Sequence, residues 1–346
     1  MAINLATKYA KQIDRAYTKG SFTAGRSYKG YDFTGVRGIK IYTPQTVDLV
    51  DYTANGANRF GTPTEVQDTV QEKLLTQHKA FALTVDASND ESQMNVKAAG
   101  RILRMQIEER VNPAIDKHAF AEWAKYAGNV VSGSALTKTN ALDAINAAAS
   151  AMDNALVPDE NRFIAVGGTA YGFVRGSSEF IKPDQIGAKA LLKGEVGSIF
   201  GLNVVKVPDS FLPANCPFIA WHKNAVMAPQ KISHTKIHQD PPGIHGHLIE
   251  GDWLYDAFVL AQKVGGVYAY VTAGKQATPT IAISSNSATI TSSGATAIYY
   301  TVDGSDPRFS LTAKPYTGAV AVEAGAVVKA VAYGTFTSDV AEKKNG

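Results

Sequence analysis

Five histidines fall between His222 and His247, and the pair His245 and His247 is spaced closely enough to share a metal ion. A zinc site needs three or four ligands at defined geometry, usually with cysteine or carboxylate support. These histidines straddle Pro241-Pro242 in what reads as loop and edge strand, so no metal is assigned. Gly274-Lys275 has the ending of a phosphate loop, but position 269 is alanine and Gln276 stands where serine or threonine is needed. Glu108 and Glu109 are a carboxylate pair on a helix, where neighbours point about 100° apart and cannot share a substrate. Arg104 and Glu108, four residues apart, read as a surface pair instead. Cys216 lies in a Pro-Ala-Asn-Cys-Pro loop with no nearby basic group to activate a thiolate. Asp303 and Asp306 can bind calcium or a sugar hydroxyl, or shape their own turn by bonding to its backbone. No catalytic, cofactor-binding or metal-binding residue is therefore assigned, no cofactor is expected, and the chain does not read as an enzyme.

The elements that carry these residues follow from periodicity. Leu5, Tyr9, Ile13 and Tyr17 recur every four positions and predict a short amphipathic helix. Glycines at 20, 25, 30, 35 and 38 then break regular structure. Ile39 to Asp86 reads as a long two-stranded hairpin with a polar turn from Thr53 to Thr64 and a return closing on the alternating Phe81, Leu83 and Val85. Such a hairpin is marginal alone in water, so it must lie on the body or on a neighbouring subunit. A long helix follows with two apolar stripes, Met94–Ala98–Ile102–Met105 and Val96–Ala99–Leu103–Ile107–Val111, that predict protein contact around much of its girth. Pro113 is expected to end or kink it, before a shorter helix carrying Ile115, Phe120 and Trp123.

A further helix spans about 140–156, with Thr139 or Asn140 as its cap. A strand at 162–166 precedes Gly167-Gly168, and Thr169 is expected to cap the helix after it. Strands follow at 202–207, 217–221 and 247–251, with a pair around Gly265-Gly266. Helices and strands mix without regular alternation, which is the α+β class. From 273 to 280 the composition turns to Thr, Ala, Gly and Pro and reads as a linker. Beyond it, β-formers separated by turns, among them Asp303-Gly304, predict a small β-sandwich. Tyr299, Val302, Val328 and Val331 are candidates for its core.

Composition narrows the class. The 346 residues are 45% hydrophobic and 19% charged, as globular chains are. One cysteine allows no internal disulfide, which suits a reducing compartment. No run approaches a membrane span, and the first residues lack the apolar stretch of a signal peptide, so secretion is not expected. Net charge is +3, but residues 1–30 hold Lys8, Lys11, Arg15, Lys19, Arg26 and Lys29 against Asp14 alone. That basic arm either faces nucleic acid or packs, solvated, on neighbouring subunits.

Two segments carry a resemblance. RMQIEERVNPAIDKHAFAEWA (Arg104 to Ala124) and HKNAVMAPQKISHTKIHQDPPGIHGHLIEGDWLYDAFVLAQKVGGVYAY (His222 to Tyr270) are similar to the spine helix and closing segment of tailed-bacteriophage major capsid proteins, whose fold encapsulins and herpesvirus shells share. Asn154 to Val166 and Gly194 to Pro208 match more weakly. The segment departs from the family pattern at Asn112 and Ala114, neither of which carries chemistry. Separately, AIYYTVDGSDP (Ala297 to Pro307) resembles the small immunoglobulin-like domain at the C-terminus of chitobiases.

The resemblance implies an N-terminal arm (1–38), an E-loop hairpin (39–86), a capsid body with its spine helix (87–272), a linker (273–280) and a β-sandwich (281–346). It implies self-assembly into hexamers and pentamers of an icosahedral shell around double-stranded DNA, in a virion assembled in the host cytoplasm. A separate scaffolding protein and a portal are expected partners; no long charged helical segment precedes the arm, which suggests either a separate scaffolding protein or assembly without one. The sandwich is expected to be a dispensable outward attachment, removable after Gly274, that binds surface glycans weakly. An encapsulin-type compartment and a cell-surface carbohydrate-binding protein are the alternatives.

Overall fold

The computed structural model describes residues 21–31, 33, 37–44, 49–55, 58–63, 65, 68–87, 99–177 and 197–346. The N-terminal helix expected over residues 1–19 lies outside them, as do Val47, Met94, Val96 and Ala98.

Strands β1 (Gly38–Pro44) and β2 (Asp68–Leu74) pair antiparallel, Gly38 opposite Leu74 and Pro44 opposite Asp68. The expected hairpin is therefore real but shorter than predicted. Its return strand breaks at Leu75-Thr76, because Leu75 turns into a buried cluster with Phe33, Ile41, Met227 and Leu254. Arg37 holds that break from both sides, its carbonyl accepting the Leu75 N–H at 2.9 Å and its Nε donating to the Leu75 carbonyl at 3.1 Å. The chain resumes as β3 (Gln77–Asp86), which leaves β1 and pairs over its whole length with the strand Gly246–Tyr255.

Helix α1 (Ala99–Gln106) passes through a π-helical turn, Ile107–Val111, into α2 (Asn112–Lys125). Pro113 does not end the helix. The Asn112 N–H donates to the Ile107 carbonyl five residues back, and the widened turn takes the proline ring that would clash in a regular α-helix. The helix is continuous from Ala99 to Lys125, on the order of 40 Å long. Among the described residues both apolar stripes of its first half are partly covered within one chain, neither fully buried. Leu103, Ile107 and Val111 lie partly buried against Ile115, Trp253 and Tyr255, whereas full burial begins only at Ile115 and continues through Phe120 and Trp123.

The body is built on one mixed sheet. In chain order come β4 (Asn129–Ser132), α3 (Ala141–Asn154), β5 (Arg162–Gly167), α4 (Gly168–Arg175), β6 (Ser198–Ile199), β7 (Leu202–Val207) and β8 (Phe218–His222). Then follow β9 (Val226–Met227), β10 (Gln230–Gln239), β11 (Gly246–Tyr255), β12 (Phe258–Val259) and β13 (Val267–Val271). The central order is β4-β13-β8-β5-β7-β6, with β10-β11-β3 as a separate sheet. Strand side chains alternate between faces. Ala165, Ile219, Trp221, Val267 and Ala269 face α2, and Ile164, Val166, Phe218, Ala220 and Tyr268 face α3 and α4. The two strands expected around Gly265-Gly266 form but do not pair with each other: β12 pairs with β9, and a 3-10 turn at Ala261–Gly266 delivers β13 to the central sheet.

Two caps differ from expectation. Asn140 occupies the N-cap of α3, but its side chain turns back to accept from the Thr137 N–H at 2.7 Å. Gly167, not Thr169, is the N-cap of α4, and the distant Asp209 carboxylate accepts the Thr169 N–H and, at 2.7 Å, its hydroxyl.

The C-terminal unit is a two-layer sandwich. Strands β14 (Thr280–Ser284), β15 (Ser287–Thr291) and β18 (Val320–Ala321) make one sheet. Strands β16 (Ala297–Thr301), β17 (Lys314–Pro315), β19 (Val327–Tyr333) and β20 (Ala341–Lys344) make the other, in the order β17-β16-β19-β20. Ile281, Ala288, Ile290, Val322, Val328 and Ala330 are its core. Val331 is also buried, but Val302 is exposed and Tyr299 packs edge-on against Tyr333, outside that core.

Candidate assembly site

The hairpin leaves the body at a buried polar hub. Asp256, at the end of β11, accepts the Thr76 N–H at 2.9 Å and the Thr76 hydroxyl at 2.7 Å through Oδ2. Its Oδ1 faces His118 Nε2 of α2 at 2.8 Å and takes the Ala257 N–H at 2.8 Å. Burial by itself would raise the Asp256 carboxyl, but the hydrogen bonds from His118, Thr76 and Ala257 outweigh it and hold its pKa below the usual value. One carboxylate thus ties the break between β2 and β3 to both the long helix and the body. Lys73 of β2 lies beside this hub, its Nζ over the rings of Phe258 at 5.3 Å and Phe309 at 5.4 Å. Burial lowers its pKa to about 8, against the opposing pull of Asp256 and Glu122.

A second buried carboxylate fixes the chain ahead of the hairpin. Asp116, in α2 just beyond the π-helical turn, takes the Phe22 N–H on Oδ2 at 2.7 Å. Its Oδ1 takes the Thr23 N–H at 3.2 Å, the Thr23 hydroxyl at 2.5 Å and the Ser21 hydroxyl at 2.7 Å. Trp221 Nε1 donates to the Arg26 carbonyl at 2.9 Å, and the Tyr28 N–H to the Val226 carbonyl at 2.8 Å. Residues 21–28 are therefore seated on the body, while the basic positions up to Lys19 lie outside the described residues.

The far end of the hairpin is apolar and uncovered. Leu49, Val50, Tyr52 and Phe60 are exposed, Phe60 to 85%, and the Tyr52 and Phe60 rings meet edge-on at 5.3 Å. The Thr53 N–H donates to the Arg59 carbonyl at 3.1 Å and closes the turn beneath them. Contiguous exposed apolar groups of this size mark interaction surfaces. Ile102 and Met105 of α1 are also only partly covered.

The residues considered for chemistry are scattered. His245 and His247 lie in and beside β11, and among the described residues no three metal-ligating side chains cluster. Two of the other histidines join acids of β11: His78 Nε2 meets Asp252 at 2.7 Å and His238 Nε2 meets Glu250 at 3.2 Å. Arg104 Nε donates to Glu108 at 2.9 Å. Cys216 is buried, and burial pushes its thiol up to about 12. Asp303 accepts from the Ser305 N–H and from the Ser305 and Thr312 hydroxyls, and Asp306 forms a bidentate pair with Arg308. Asp256 and Asp116 were missed as organising residues. The only signal for Asp256 was an acid inside the otherwise apolar run Trp253 to Leu260.

Comparison with known proteins places this architecture. The Fn3-associated family model matches residues 288–344. No curated protein sequence matches the chain. Among solved structures, a chain of Mycobacterium phage Che8 is similar at a TM-score of 0.64 and 20% identity, covering 78% of this chain and 98% of its own. The capsid structure of cyanophage P-SCSP1u gives 0.63 at 15% identity, with 78% and 93% covered. The acid-stable capsid of Helicobacter pylori bacteriophage KHP30 gives 0.58 at 12%, with 78% and 95% covered. The chain has the phage capsid fold, α+β, with an Fn3-associated immunoglobulin-like sandwich at its C-terminal end.

Proposed function

We propose that the chain is the major capsid subunit of a tailed phage and closes, as hexamers and pentamers, into an icosahedral shell around double-stranded DNA. Its role in this reading is structural, and the virion is its location after assembly in the host cytoplasm. The observation that carries the reading is the hairpin. Its root is held by Asp256 and Leu75, while Leu49, Val50, Tyr52 and Phe60 at its end stay exposed among the described residues. A second copy supplies that cover, and the half-exposed stripe of α1 offers a further contact. The basic residues before Lys19 suit non-specific contact with packaged DNA. A separate scaffolding protein and a portal complete the set of partners. Exposed loops of the sandwich suit weak glycan attachment, multiplied by many copies on one shell.

The test is Phe60→Asp together with removal of residues 53–64. Light scattering and negative-stain images should show shells, tubes or capsomers for the parent chain and smaller species for both variants. Normal shells from both variants, or a parent chain that stays monomeric across concentration and ionic strength, would overturn the reading.

A further inference from the structure

We infer that the C-terminal sandwich is a built-in clamp of the subunit: it caps the C-terminal end of the long helix and closes over the root of the hairpin. Neither part depends on the shell reading. The last carbonyls of a helix have no partner within it. Here two of the carbonyls at and just beyond the end of α2 are satisfied by the sandwich. The Thr337 hydroxyl donates to the Lys125 carbonyl at 2.6 Å, and Arg308 Nη1 donates to the Ala127 carbonyl at 3.1 Å. A guanidinium is also the charge that the negative end of a helix favours. Arg308 is set for this contact by Asp306, with Nη2 to Oδ2 at 2.7 Å and Nε to Oδ1 at 3.1 Å, and its side chain is only 7% exposed.

Beside it the sandwich gives up two aromatic residues to the body. Phe309 and Phe336, 6% and 1% exposed, belong to the apolar cluster of Trp123, Ala124 and Ala127, and not to the sandwich's own core. Tyr333 meets Tyr126 at 6.1 Å between centroids. Phe309 also forms one side of the aromatic pair around the Lys73 ammonium, with Phe258 of the body on the other. Lys73 belongs to β2, so hairpin, body and sandwich meet at one side chain.

The connection has little slack. The Thr272 N–H donates to the Asn215 carbonyl at 2.8 Å, and Lys275 forms a β-bridge with Phe336. Lys275 Nζ meets Asp339 at 2.7 Å. A chain stopped after Gly274 keeps all strands of the central sheet. It loses the cover over Trp123 and Lys73 and the donors for two carbonyls. On this reading the sandwich is packed into the subunit and is not hung loosely outside it.

The experiment is hydrogen exchange on the full chain carrying Arg308→Ala and Phe309→Ser, with Thr337→Val as a milder second variant. The amides of Gln71–Leu74 and of Tyr126–Gly128 should exchange faster by about tenfold or more in the double variant and less in Thr337→Val. Exchange in Val328–Val331 and in Ile164–Val166 should stay at the parent rate, which shows that both cores remain folded. Unchanged exchange at Gln71–Leu74 with both cores protected overturns the clamp. If the double variant also loses protection at Val328–Val331, Thr337→Val decides: faster exchange at Tyr126–Gly128 alone supports the clamp, and no change overturns it.

Discussion

Replacing Asp116 by alanine removes one acceptor group and strands several donors at once. Ser21 is half-buried and its hydroxyl can turn to water, and the Thr23 hydroxyl can rotate. The Phe22 and Thr23 amides can do neither, because both residues are buried against the body. A buried donor left without a partner costs about 1–3 kcal/mol, so the two amides together predict a loss of about 2–6 kcal/mol. Asp116→Asn separates charge from shape. If its oxygen still serves Thr23, its NH2 group faces the Phe22 N–H, donor against donor, at a cost of about 1–3 kcal/mol. Urea unfolding gives the totals, and hydrogen exchange at Phe22 and Thr23 locates them. The arm amides should lose protection first, while β5 follows only the global change. A change for Asp116→Ala within about 0.5 kcal/mol of the parent would refute the argument, as would arm amides that exchange at the parent rate.

Lys73 predicts a rise of stability with pH. The fold lowers its pKa to about 8 from 10.5, so the folded chain binds the proton less tightly than the unfolded one, and the penalty present below 8 is relieved as pH climbs toward 10.5. Partial solvent access reduces the effect to about 1–2 kcal/mol. Lys73→Met should remove this dependence and raise the urea midpoint at pH 7, and a lowered midpoint would show that the ammonium is favourable where it sits. Asp256 works in the opposite sense: its depressed pKa stabilises the fold above the ordinary carboxyl range and is lost as pH falls through the folded value, so Asp256→Asn should flatten the acid limb of a thermal melt below about pH 4. Pro113→Ala should change the melting free energy by less than about 1 kcal/mol, because the π-turn already accommodates the ring inside the continuous helix; a larger stabilisation would mean that the turn stores strain.

Much of the fold was legible because local pattern and tertiary role coincide. The alternation in Phe81, Leu83 and Val85, the 3,4 spacing from Leu142 to Met152 and the turn at Asp303-Gly304 all identify elements that stand where periodicity puts them. Partners across the sheet were not legible. Nothing local says that β3 abandons β1 for β11, since that choice is made by Leu75 turning inward and by Asp256, some 180 residues away in the chain. Pro113 leaves the helix unbroken for a related reason: the cost of a proline is that of a regular α-helix, and the sequence has no sign for a π-turn that takes the ring. The small and polar residues of 273–280 suggest a linker, yet Gly274 and Gln276 among them lie against Phe336. Docking of the sandwich rests on Arg308, Phe309 and Phe336, which look like ordinary loop residues until the body is set beside them.

The central sheet carries two cores on its opposite faces, and this has an evolutionary consequence. Trp221 and Ile219 serve one core, Phe218 and Ala220 the other, and Ile164 to Val166 alternate in the same way. What selection must preserve there is parity. Any apolar residue of roughly suitable volume can be exchanged and its neighbours adjusted, but a single insertion or deletion in β5 or β8 would exchange the two side-chain sets wholesale. Substitutions can then accumulate with little limit on identity, while length changes are confined to the connections between strands. A sheet under that rule keeps its backbone while the identity of its residues is free to drift.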